Sequence, residues 1–112
     1  MKRLILTLAL IPAAASAEFH SGNSLLALMN GDATQQGVAI GYVMGAADVG
    51  LGVIHCAPPT ATAGQLRDII KRALEAMPQH RHQTADLIIG GALGAVFPCK
   101  RSGNGKKEDG NV

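Results

Sequence analysis

Tryptophan is absent, and one tyrosine with two phenylalanines makes up the whole aromatic complement. Base stacking on aromatic side chains is therefore scarcely possible. A basic groove is lacking too: ten Lys and Arg against eight Asp and Glu give a formal charge of +2, and Lys2 and Arg3 alone account for the excess. No nucleic-acid partner is expected. Serine is confined to positions 16, 21, 24 and 102, none of them in a nucleophile-elbow sequence. Cysteine occurs twice and histidine four times. His55, His80, His82, Cys56 and Cys99 could be arranged into a metal site on paper, but His80 and His82 lack the i, i+4 spacing of a helical metal pair. No metal, no cofactor and no catalytic residue is expected, and the chain is read as a non-enzyme.

The N-terminal segment determines how the two cysteines are read. Lys2 and Arg3 precede the apolar run Leu4–Ile11, and Ala15-Ser16-Ala17 offers the small-x-small pattern of a signal-peptidase site. Residues 1–17 are thus expected to be a cleaved secretory signal, with the protein acting in the periplasm. In an oxidising compartment, Cys56 and Cys99 are expected to form a disulfide. That bond would consume both thiols and so rule out a Cys/His nucleophile. Residues 18–99 form one expected domain, small enough for a covalent staple to matter. Residues 100–112, rich in Gly, Lys and Asn, are expected to be a disordered tail. The tail holds four basic and two acidic residues, which leaves four basic and six acidic residues in the domain.

Periodicity points to an all-α bundle of about four helices. Ser21 or Asn23 can cap a short first helix that Gly31 stops. Thr34 is expected to open a long second helix. Its glycines 37, 41 and 45 would draw a bare stripe on which a neighbouring helix could pack. Gly50 and Gly52 should end it. The span from Gly37 to Ile54 has one charge, Asp48, but five glycines and that acid disfavour a membrane helix. No integral span is expected in the mature chain. Asp48 itself is expected to hydrogen-bond a nearby helix start or a histidine.

Thr62 and Gln65 form a capping box that opens a third helix. Leu66, Ile69, Ile70, Ala73, Leu74 and Met77 lie on one face of that helix, and Pro78 ends it. A last helix, from about Arg81 to Val96, should bury Ala85, Ile88, Ile89, Ala92, Leu93 and Val96, with Gly90, Gly91 and Gly94 allowing close contact. Ile70, Leu74, Ile89 and Leu93 are expected to meet in the core.

The runs "GYVMGAAD", "HCAPP", "TAGQLRDIIKRALEAMP" and "HQTADLIIGGALGAVFPC" resemble the Rap/Tai family of type VI secretion immunity proteins. The likeness runs from about Phe19 to Cys99. It is sharpest at Gly41-Tyr42, Gly45, Asp48, Cys56 with Pro58 or Pro59, Gln65, Pro78 and Phe97-Pro98-Cys99. Asn30 and Ala39 occupy places where many relatives carry a further cysteine pair. The resemblance implies a periplasmic homodimer that binds and blocks a peptidoglycan amidase effector through a loop and the adjoining helix surface. Pro58, Pro59 and Thr60 in one inter-helix segment, with His80, Arg81 and His82 in another, are then the candidate partner-binding residues. Two other readings fit a small secreted helical domain: an orphan envelope binding domain, and an Hde-like periplasmic acid chaperone.

Overall fold

Residues 19–100 are described by a computed structural model; the expected signal peptide and nearly all of the tail lie outside them. Four helices follow one another: α1 (Gly22–Met29), α2 (Ala33–Gly50), α3 (Ala63–Ala76) and α4 (Ala85–Val96), with a single 3-10 turn at Pro78–His80.

Local chemistry fixes most of the boundaries. Ser21 caps α1 by accepting the Ser24 N–H. Asp32, rather than Thr34, starts α2, through a reciprocal capping box with Gln35. Thr62 and Gln65 close the expected box on α3. Pro78 ends α3 and opens the 3-10 turn, so α4 starts four residues later than Arg81. The start of α1 is laced to the start of α4 and the loop before it: Gly22 and Asn23 donate to the Gln83 and Arg81 carbonyls, and Ala85 donates to that of His20.

One core joins all four helices. Ile70, Leu74, Ile89 and Leu93 are each 1 % exposed or less, as the apolar periodicity predicts, and Leu25 and Val43 complete the centre. Val96 departs from expectation. It lies half open on the last turn of α4, where it lines a groove against α3. Cys56 and Cys99 are bonded, with Cα atoms 4.8 Å apart, so α4 is tied to the segment that follows α2.

The glycine stripe of α2 points the other way from the one expected. Gly37, Gly41 and Gly45 are exposed, and a Cβ on any of them would meet nothing within 4 Å. The buried row is Ala39, Val43 and Ala47. Positions 41 and 43 sit about 200° apart around a helix, so the two rows occupy opposite faces. Both have four-residue spacing. The row that has methyl groups to remove from water goes inside. Close contact occurs instead at Gly94, where a Cβ would lie 2.9 Å from the Ile54 carbonyl oxygen, and at Gly90, where it would lie 3.3 Å from the Ile54 side chain.

A paired experiment follows. Gly45→Ala should raise stability by up to about 1 kcal/mol, because it gains helix propensity at no steric cost. Gly94→Ala should lower it by about 1–3 kcal/mol through overpacking against main chain. Thermal unfolding of both variants checks the sign of each.

Candidate partner-binding surface

The two candidate loops stand at opposite ends of α3. Pro58, Pro59 and Thr60 precede its first turn, while His80, Arg81 and His82 follow its last. Fourteen helical residues separate them by about 21 Å. They do not form one patch. They are connected, however, by a trough along α3. Its far section, between α3 and α4, is lined by Ala73, Met77, His80, Leu87 and Ala92. Its near section is lined by Pro58, Thr60, Gln65 and Phe97. Ile69 and Arg72 line both sections. The far section thus has an apolar floor and the near section a mixed one that includes Asp68, with Arg72 between them and a loop at each end.

Its charge is distributed unevenly. Asp68, near the Thr60 end, is paired with Arg67 at 2.9 Å. Arg72 is exposed and has no such partner among the described residues. A guanidinium in that setting can take a carboxylate from a partner with two parallel hydrogen bonds.

The candidate loop residues differ in what they can offer. Pro58, Pro59, Thr60, His80 and His82 are exposed. Arg81 is only partly so: its Nε is buried without a hydrogen-bond partner, and its main chain lies against Gly22, where a Cβ would come within 3.0 Å of the Arg81 Cα. The Arg81 carbonyl accepts the Asn23 N–H. Its backbone therefore helps lace α1 to the loop, a role the sequence did not signal.

Of the family-motif positions, Gly41 and Gly45 line a second groove, between α2 and α4, together with Tyr42, Phe19 and Leu87. Tyr42 stacks edge-on with His20, ring centroids 5.1 Å apart. Burial first, and then the charge of Asp86, push its hydroxyl above the ordinary pKa of 10.0; a main-chain contact with Asp86 pulls the other way. Asp48 does not meet its expectation. It is exposed, and its side chain makes no hydrogen bond to the other described residues. Pro98 is exposed, beside Cys99 at the disulfide.

His55 serves the fold. It is 2 % exposed, its Nε2 donates to the Ala47 carbonyl at 2.7 Å, and its Nδ1 accepts the Ala57 N–H at 3.2 Å. The last carbonyls of a helix lack intrahelical partners, so this ring caps the end of α2 from eight residues downstream. With both nitrogens engaged, His55 has no position free for a metal. Among the described residues no group of three His, Cys, Asp or Glu could hold one.

What the molecule presents is a stapled helical scaffold with shallow troughs and exposed loops, the form of a small binding domain. The family model of the Rap1a immunity proteins matches residues 21–99, which is nearly the whole described domain, and the chain belongs to that family. Membership implies a secreted effector as binding partner. A search of curated proteins gives no match.

Proposed function

We propose that the protein is exported to the periplasm and there binds and inhibits a peptidoglycan amidase delivered by type VI secretion. The family match over residues 21–99 carries this reading. The trough along α3 supports it physically. An effector loop can lay apolar side chains over Ile69, Met77 and Leu87 while a carboxylate reaches Arg72 and the end loops meet the rim. The occluded enzyme would lose activity through binding alone, with no chemistry performed on it. The same reading includes a homodimer, for which the outward Gly37, Gly41 and Gly45 face of α2 allows close approach of a second helix.

Arg72→Glu is the discriminating variant. It sits on an exposed helix face and should leave the fold intact. Binding to the cognate amidase should weaken by at least about tenfold, the scale of losing a charged interface contact. His82→Ala should have a smaller effect, as a single rim residue. Calorimetric titration of wild type and both variants measures this. Unchanged affinity for Arg72→Glu would move the contact surface away from the trough.

A further inference from the structure

Eight large hydrophobic side chains are exposed among the described residues, and four of them, Phe19, Val49, Ile54 and Leu87, line one groove, the one between α2 and α4. Val49 is 84 % open and Phe19 78 %. Gly41, Gly45 and Gly91 line the same groove, and a Cβ on any of them would meet nothing within 4 Å. The space over these main-chain segments is open to a partner's side chains.

The two ends of the groove differ in chemistry. At one end Tyr42 lies close enough to Asp86 for that charge to act on its hydroxyl. At the other, Ile54 packs against Gly90 beside Val49, and only hydrocarbon is presented. Seven residues of α2 separate Tyr42 from Val49, about 10 Å of helical rise.

Asp86 is exposed and makes no ion pair with the other described residues. Its place in the first turn of α4 suits an acid and leaves the carboxylate open to an external cation. Neither α2 nor α4 contains a Lys or Arg. A second copy laid face to face over the groove would bring Asp86 another acid and no base.

The groove also adjoins the trough. Leu87 and Gly91 line both, so the exposed ridge of α4 stands between them. The unpaired charge on the trough side is the Arg72 cation, and on the groove side it is the Asp86 carboxylate.

We propose that the amidase effector grips α4 from both sides, a second segment of it entering this groove with a Lys or Arg for Asp86 and, about 10 Å away, a large apolar side chain for Val49 and Ile54. This rests on the inhibitor reading and adds to it a second contact of opposite charge. A partner docked the other way round would set like charges together, so the pair Arg72 and Asp86 fixes its orientation.

Calorimetric titration of the cognate amidase with variants of the groove tests this. Asp86→Asn should weaken binding by about tenfold, and high salt should narrow the difference from wild type. Gly45→Leu, which fills the groove without touching the core, should weaken it by at least about tenfold while thermal unfolding shows no loss of stability. Asp48→Asn removes the same charge from α2 outside the groove and should leave affinity unchanged. Failure of wild type to bind the amidase would sink the inhibitor reading and this proposal together. Binding that Arg72→Glu weakens, but that Asp86→Asn and Gly45→Leu leave unchanged, would overturn this proposal alone. So would an equal loss with Asp48→Asn. Self-association without amidase that Gly45→Leu abolishes, at unchanged amidase affinity, would assign the groove to a second copy instead.

Discussion

Leu74→Ala should lower the free energy of unfolding by about 2–5 kcal/mol. The side chain is 1 % exposed on the buried row of α3, in one cluster with Ile70, Ile89 and Leu93. Truncation removes its transfer energy and leaves a cavity that α1, α2 and α4 can fill only by moving. A domain of this length has roughly 5–14 kcal/mol in total, so one such change takes a large share. Urea denaturation measures it, and a loss below about 0.5 kcal/mol would place Leu74 outside the core.

Loss of the disulfide should rival that effect. Cys56 and Cys99 are 43 residues apart, and closing a loop of that size in the unfolded chain is worth about 4 kcal/mol in the chain-entropy model. The bond also holds the segment after α2 against α4, where the Cys56 N–H donates to the Phe97 carbonyl at 2.8 Å. The double change Cys56→Ser with Cys99→Ser should lower stability by about 2–4 kcal/mol, and a reductant should do the same to wild type. Mass spectrometry under non-reducing conditions gives the companion check: two free thiols in protein folded under oxidising conditions would contradict the staple.

Helices α1 and α3, the core of α4 and the disulfide were legible because each rests on local or covalent logic. The Thr62–Gln65 box needs four residues to be recognised, and the apolar row of α3 has charged residues opposite it. α2 was harder to orient. Apolar or small residues surround it on nearly every side, so periodicity offered two rows of equal spacing, Gly37-Gly41-Gly45 and Ala39-Val43-Ala47. Only packing could choose between them. Asp32 is readable in principle, since Asp32-x-x-Gln35 is itself a capping sequence; Thr34, the start expected from the sequence, lies two residues too late. His55 gave no signal, because a cap supplied from beyond a turn depends on tertiary placement.

The candidate site was legible only in its ends. Exposed Pro, Thr and His residues in inter-helix segments mark loops, and these are the loops at the two ends of the trough. The trough between them is made by α3 lying against α4. Arg72, read from sequence, is one more charge on a solvent face, and only the neighbouring helix gives it a place beside an apolar floor. Arg81 shows the reverse case: a loop cation whose nearest neighbours are the main chain of the first helix.

Inhibition by binding is the decisive property. Purified protein beginning at Glu18 should be titrated against its cognate peptidoglycan amidase while cleavage of cell-wall peptides is followed. The account predicts that cleavage falls to background in proportion to the protein added, that Arg72→Glu shifts the titration to higher concentration, and that the protein alone leaves the peptides intact. Full amidase activity at a large excess of folded protein would contradict it.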